Sequence, residues 1–123
     1  MLIYRSRSAC QIKIVPESAT FDRNQLREVT LDDPDLMREI LAALIDDTSR
    51  QIDLIASAIR QKDSQLCKRL AHYSKGACAN VGANAAAALL RDIEFYAARG
   101  QFSHCETSLA ALAQEMERLR NEV

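Results

Sequence analysis

The sequence is poor in aromatic residues and in the residues that make turns. Aromatics are 5% of its 123 residues, tryptophan is absent, and there are three glycines and two prolines. Most all-β folds need more turn residues and more β-branched or aromatic side chains, so this composition argues against them. With 48% hydrophobic and 27% charged residues, disordered and collagen-like chains are excluded as well. A helical domain rich in alanine and leucine is what remains.

Long apolar runs are also missing. No run approaches the roughly 18 residues that a membrane span needs, and the first residues lack the apolar centre of a secretory signal. We therefore expect a cytoplasmic protein without a membrane partner. The four cysteines show no Cys-x-x-Cys spacing and are interpreted as reduced thiols, since a disulfide framework is unexpected in that compartment.

The chain has no excess of charge of one sign. Its 16 basic and 17 acidic residues give a net charge of −1, whereas a general nucleic-acid binder carries a large cationic excess, so no nucleic-acid partner is expected. The segment 64–91 is different, because it contains no Asp or Glu. Its basic residues are Lys68, Arg69, Lys75 and Arg91. Such a segment could attract an anionic group or an acidic partner.

The length is sufficient for one domain and too short for two of usual size. Residues 1–20 differ from the rest: the stretch 10–15 partly alternates and stops at Pro16, which leaves an extended arm and a disordered tail open as alternatives. From residue 21 onward helical patterns dominate. We predict an N-terminal arm over 1–20 and a helical domain over 21–123.

Apolar residues recur at helical spacing in five segments. A short helix is predicted over about 21–29. Four longer helices follow, over about 34–61, 64–81 and 85–98, with a last one that includes 109–119. Asp33 is a predicted cap for the second helix, and Asp63 or Ser64 for the third. Ser103-x-x-Glu106 resembles a capping box for the last helix, with a start one or two residues earlier as the alternative. Short connections then predict an all-α fold, an antiparallel up-down four-helix bundle with a short additional N-terminal helix.

The third predicted helix carries the candidate chemistry. At about 100° per residue, its apolar residues fall opposite His72, so this imidazole should project into solvent. An exposed and largely neutral imidazole is a competent nucleophile toward an activated phosphoryl group, and Lys75, one turn on, could stabilise the phosphoryl charge. Gly76 removes the side chain beside the ring. Glycine inside a helix costs about 1 kcal/mol relative to alanine, so close approach of a partner is the reason we assign to it.

Four more residues on the same face are candidates for partner binding: Gln65, Lys68, Arg69 and Ala79. A solvated face explains the two basic residues about as well as docking does, and the other two qualify by position alone. No metal site is predicted, because Cys67 and Cys78 fall on the inward side of this helix while His72 points outward. Buried cysteine as a small apolar residue is the simpler interpretation. His104 is interpreted as an ordinary surface residue.

The run from His72 to Ala83 resembles the His-x-x-Lys-Gly-x-x-x-x-x-Gly-Ala signature of histidine-containing phosphotransfer (HPt) domains. With its flanking pattern the resemblance covers about residues 21–120. It implies a helical bundle that takes a phosphoryl group onto His72 from the aspartate of one receiver domain and passes it to another, with Lys75 and Gly76 as the matching supporting residues. Ser74 departs from the family, which usually has an apolar residue there, and is expected at the bundle interface.

The resemblance implies a phosphohistidine carrier in two-component signal transduction and not an enzyme with kinase activity of its own, since no Walker-type loop is present. The implied partners are response-regulator receiver domains, with a hybrid histidine kinase as a further candidate. Mg²⁺ is expected in the receiver, no cofactor in this chain, and a monomer in solution. A non-catalytic helical adaptor that binds receivers or other helices without carrying phosphate remains the alternative.

Overall fold

The computed structural model describes residues 21–122. Five helices lie in this part: α1 (Arg23–Val29), α2 (Pro34–Arg60), α3 (Ser64–Asn80), α4 (Asn84–Ala98) and α5 (Phe102–Arg120). Helix α2 contacts α3 and α5, and α4 contacts α3 and α5, so the four long helices close a ring in chain order. Three-residue connections make neighbours antiparallel. The predicted four-helix bundle with a short additional helix is confirmed, while the predicted arm lies outside the described residues.

Two of the predicted caps are in place. Asp33 accepts hydrogen bonds from the backbone N–H groups of Asp35 and Leu36 at the start of α2. Asp63 accepts one from the N–H of Leu66 at the start of α3. Each side-chain cap is worth about 1 kcal/mol, because it pairs backbone donors that the first helical turn leaves free. Both helices therefore begin where the sequence indicates.

The start of α5 lies within the predicted range, two residues before the start that a Ser103 cap would give. This helix begins at Phe102, and its N-cap, Gln101, makes no side-chain capping hydrogen bond. The predicted capping box of Ser103 and Glu106 is therefore wrong. The reason lies in the preceding turn, where Gly100 has a φ of 69° and lets the chain reverse directly after α4.

The core lies between the four long helices, and the fully buried side chains of α3 are all small, while Leu66 and Leu70 pack at its edge. The fully buried residues of this helix are Cys67, Ala71, Ser74 and Cys78. Small side chains at a contact let two helix axes approach closely. Burial raises the pKa of Cys67 to about 12 and that of Cys78 to about 11, so both thiols stay protonated and serve as apolar packing groups. Within residues 21–122, no helix has the length and apolar character of a membrane span.

Ser74 occupies the interface between the helices, as the sequence predicts. The residue is 1% exposed, and its hydroxyl oxygen has no hydrogen-bond partner among the described residues. An unpaired buried hydroxyl costs about 1–3 kcal/mol. The polar residue at this position therefore lowers the stability of the bundle without contributing to the exposed face of α3.

Helix α1 closes one end of the bundle. Phe21 and Leu26 insert into the core. The side-chain amide of Gln25 donates hydrogen bonds to the carbonyl oxygens of Ala79 and Asn80, at 2.6 and 3.1 Å. These carbonyls belong to the last turn of α3, where intrahelical partners are missing. The short helix thereby fixes the C-terminal end of α3.

The turn after α3 depends on a glycine that touches the segment leading into α1. Gly82 has a φ of 83°, and a Cβ atom there would lie 2.5 Å from the carbonyl oxygen of Asp22. The Asp22 N–H donates to the Gly82 carbonyl at 2.7 Å. Gly100 has a similar backbone conformation, but no atom lies within 4 Å of its Cβ position. The two glycines thus differ in their surroundings only.

Replacing each of these glycines by alanine separates backbone conformation from contact. We expect Gly100→Ala to lower the free energy of unfolding by about 1–2 kcal/mol, the cost of a left-handed conformation for a residue with a Cβ. Gly82→Ala should cost clearly more, because the backbone at Asp22 must also move. Urea unfolding of both variants measures the difference. Equal losses would contradict a role for Gly82 in seating the α1 segment.

Candidate functional site

The outward face of α3 carries the residues that the sequence singles out. The His72 side chain is 68% exposed, while its neighbour Ala71 is fully buried. The imidazole thus stands clear of the core, as the helical wheel indicates. Gly76 is exposed as well, and no atom lies within 4 Å of the position that a Cβ would take there. The surface on the C-terminal side of His72 is therefore open.

A carboxylate from the neighbouring helix contacts both His72 and Lys75. Glu94, on α4, has its Oε2 atom 2.9 Å from Nδ1 of His72, and its Oε1 atom accepts a hydrogen bond from Nζ of Lys75 at 2.8 Å. The Glu94 side chain is only 20% exposed and that of Lys75 31%. The site therefore consists of three residues on two helices. We call His72, Lys75 and Glu94 the bridged triad.

The charge of Glu94 follows from two opposing effects. Burial raises the pKa of this carboxyl group, but hydrogen bonds from Lys75 and His72 act in the opposite direction and prevail, so its pKa is lowered. Glu94 is therefore ionised at neutral pH. A carboxylate can only accept hydrogen bonds, so Nδ1 of His72 carries the proton and donates it. In the neutral ring the lone pair then lies on Nε2.

The other predicted residues lie along the same face without joining the triad. All four are exposed: Gln65, Lys68, Arg69 and Ala79. Neither Lys68 nor Arg69 has an ion-pair partner within residues 21–122. Their charges are consequently available to a partner. The carbonyl of Ala79 is already bound by α1, so only its small side chain contributes to the face.

Tyr73 borders the triad on the side of α2 and has no counterpart among the predicted residues. Its side chain is exposed, and its hydroxyl donates a hydrogen bond to Oδ2 of Asp47 at 3.4 Å. Asp47 in turn pairs with Arg50, one turn along α2. An aromatic ring next to an exposed histidine adds apolar area to a surface that is otherwise cationic.

Sequence reasoning also misses Glu94, although one signal for it exists. His72 lies ten positions before Gly82 and Glu94 twelve after it. In an antiparallel helix pair, residues at similar distances from the turn lie at the same level. Together with the end of the acid-free segment at Arg91, this register narrows the acidic candidates across the pair to Asp92 and Glu94, and the structure brings Glu94 into contact with His72.

The fold and the exposed triad define a class of protein, a four-helix bundle with a solvent-facing histidine on its third helix. A family model described as "Hpt domain" matches residues 39–122, so the chain belongs to the Hpt domain family. This membership confirms the resemblance seen in the sequence and gives the protein a role in phosphotransfer. A comparison with curated proteins finds no match.

Solved structures of phosphotransfer proteins share the fold. Histidine-containing phosphotransfer protein B (HptB) from Pseudomonas aeruginosa PAO1 is 22% identical, with a TM-score of 0.75, over 82% of this chain and 88% of that one. ZmHP2 from maize is 23% identical, with a TM-score of 0.74, over 85% and 80% of the two chains. MtHPt2 from Medicago truncatula is 24% identical, with a TM-score of 0.74, over 85% and 75%. At such identities the likeness concerns the fold.

The ionisation of Glu94 predicts a pH-dependent contribution to stability. Because the pKa of Glu94 is lowered in the folded protein, its contribution is complete above the unfolded pKa of about 4.3 and is lost as the pH falls through the lower folded value. We expect the free energy of unfolding of the wild type to exceed that of Glu94→Gln by about 0.5–1 kcal/mol at pH 7. This difference should vanish in more acidic solution. Urea unfolding between about pH 3 and 7 measures it. A difference that does not change with pH would contradict the bridged triad.

Proposed function

We propose that this protein is a phosphorelay intermediate that accepts a phosphoryl group from a receiver-domain aspartate onto Nε2 of His72 and passes it to a second receiver. One observation carries the proposal: the imidazole is 68% exposed while its Nδ1 atom is engaged by Glu94. The nitrogen that holds the lone pair is thus the one that faces solvent. Family membership supports the phosphotransfer role, and the geometry of the ring supports Nε2 as the nitrogen that is phosphorylated.

The transfer step follows from this arrangement. The Nε2 lone pair attacks the phosphorus of the aspartyl phosphate, the P–O bond to the aspartate breaks, and the aspartate leaves as a carboxylate. The proton on Nδ1 stays in place, and the positive charge that develops on the ring faces the carboxylate of Glu94, 2.9 Å away. Onward transfer reverses these steps with the carboxylate of a second receiver as nucleophile.

Lys75 supplies positive charge near the transferred group. Its ammonium is held by Glu94 at 2.8 Å, one helical turn from His72. We assign it to the phosphoryl oxygens, whose charge in the transition state a neighbouring cation stabilises. We assign Mg²⁺ to the receiver domain, as in the expectation from the resemblance, so no metal-binding role falls to the bridged triad.

The remaining residues of the face are assigned to docking. Gly76 leaves room beside the ring, Lys68 and Arg69 offer unpaired charges to an acidic partner, and Gln65 and Ala79 extend the surface along α3. The spacing of these positions corresponds to about 21 Å of helix, a length that a single partner domain can cover. The same proposal includes a cytoplasmic location, a monomeric carrier without kinase activity of its own, and a hybrid histidine kinase among the donors.

The chain has only two histidines, which provides a matched test. We expect a receiver phosphorylated with labelled phosphate to transfer label to the wild type as an acid-labile, alkali-stable adduct, and no label to His72→Gln. His104→Gln should behave as the wild type, because His104 lies on α5 and its ring stacks on Tyr96. Label on His72→Gln would refute the assignment. Receiver binding without any label on the wild type would favour the adaptor.

Gly76 allows docking to be separated from stability. Because no atom lies within 4 Å of its Cβ position, Gly76→Leu should fold normally and gain up to about 1 kcal/mol from helix propensity. Transfer from the receiver should nevertheless slow by about tenfold, equivalent to about 1.4 kcal/mol, since the leucine stands beside the ring.

Gly76→Ala serves as the control for this change. It should show the same gain in melting temperature with a much smaller effect on transfer, because a methyl group extends little from the helix. Rapid-quench measurement of transfer and thermal unfolding together give the comparison. An unchanged rate in Gly76→Leu would show that the partner does not approach the helix at this position.

A further inference from the structure

Orienting the ring of His72 does not require a charged residue at position 94. A neutral amide could accept a hydrogen bond from Nδ1 equally well and would fix the same tautomer. The structure instead places an ionised carboxylate there, with one oxygen on Nδ1 and the other on the Lys75 ammonium. The negative charge therefore calls for a separate explanation, which the chemistry of the phosphorylated ring provides.

The protonation of Nδ1 decides how readily the phosphoryl group can leave. When an incoming aspartate oxygen attacks the phosphorus, the P–Nε2 bond breaks and its electron pair returns to Nε2. With a proton on Nδ1 the departing ring is neutral imidazole. Without that proton the ring must depart as an imidazolate anion, which is a far stronger base and a far poorer leaving group.

The two helices that carry the triad hold mostly positive charge on this side of the bundle. Helix α3 contributes Lys68, Arg69 and Lys75 and has no acidic residue, while α4 contributes Arg91, Asp92 and Glu94. On the side of α2, Asp47 is engaged by Tyr73 and Arg50. Nearby positive charge disfavours protonation of a ring nitrogen.

Of the acidic residues on these helices, Glu94 is the one that contacts the ring of His72. The pKa of Glu94 is lowered in this environment, so its carboxylate stays charged over the range in which an imidazole titrates. It is the negative charge in direct contact with Nδ1.

We propose that Glu94 is a positioning residue that retains the proton on Nδ1 after Nε2 has been phosphorylated, so that the ring leaves as neutral imidazole when the group moves to the next receiver. This inference rests on the proposed function for the identity of the acceptor. It adds that onward transfer, more than loading, depends on the charge at position 94, and that the dependence is strongest in alkaline solution.

Chemical loading makes the test independent of the donor receiver. The wild type, Glu94→Gln and Glu106→Gln are phosphorylated with phosphoramidate, and the protonation of Nδ1 in the phosphorylated ring is followed by nitrogen NMR across about pH 5.5 to 8.5, the range around the ordinary histidine pKa. The rate of discharge to a receiver is measured over the same range. Glu106→Gln is the control, because it removes the same charge from an exposed position on α5.

We expect Glu94→Gln to lose the Nδ1 proton at least one pH unit earlier than the wild type, and therefore to discharge at least tenfold more slowly near pH 8.5. Near pH 5.5, where both rings are protonated, the rates should agree within about twofold. Glu106→Gln should follow the wild type throughout.

Two results would overturn the inference. An unchanged Nδ1 titration would show that the charge does not hold the proton, and a rate reduced equally at both pH values would show a merely structural role. In either case His72 is labelled and the proposed function stands. Failure of both phosphoramidate and the receiver to label His72 would instead contradict the proposed function and this inference together.

Discussion

The close approach of α3 and α4 is the constraint on which the site depends. Glu94 reaches both His72 and Lys75 because the helix that carries it lies directly beside α3. The fully buried residues of α3 are cysteine, alanine and serine, and they face a core to which α4 contributes Ala86, Leu90, Ile93 and Ala97. Small side chains bring helix axes together. The size of the buried side chains thereby affects how closely Glu94 approaches His72 and Lys75 on the surface.

Hydrogen bonds at both ends of α3 hold this helix in place. Asp63 caps its first turn, and α1 binds the carbonyls of its last turn through Gln25. Gly82 then reverses the chain within a turn too tight for any side chain at that position. The histidine thus lies on a helix fixed at both ends, which favours a defined orientation of its ring.

The sequence predicts those features that depend on one helix at a time. The outward position of His72 follows from the apolar residues of α3, and the caps at Asp33 and Asp63 follow from local hydrogen bonding. Features that depend on two elements are harder to predict. Glu94 meets His72 only through the register of the α3–α4 pair, and the start of α5 is set by the backbone of Gly100 rather than by the apparent capping box at Ser103. Local patterns carry no direct information on such relations.

The exposed imidazole is a single group on the outward side of α3, with open space beside it at Gly76. Two receiver domains cannot occupy that surface at once, so under the proposed function donor and acceptor must take turns. The kinetics of the relay are then of the ping-pong type, and a large excess of unphosphorylated acceptor inhibits loading by occupying the free carrier. Flux through the pathway thereby becomes sensitive to the ratio of the two receivers as well as to their phosphorylation.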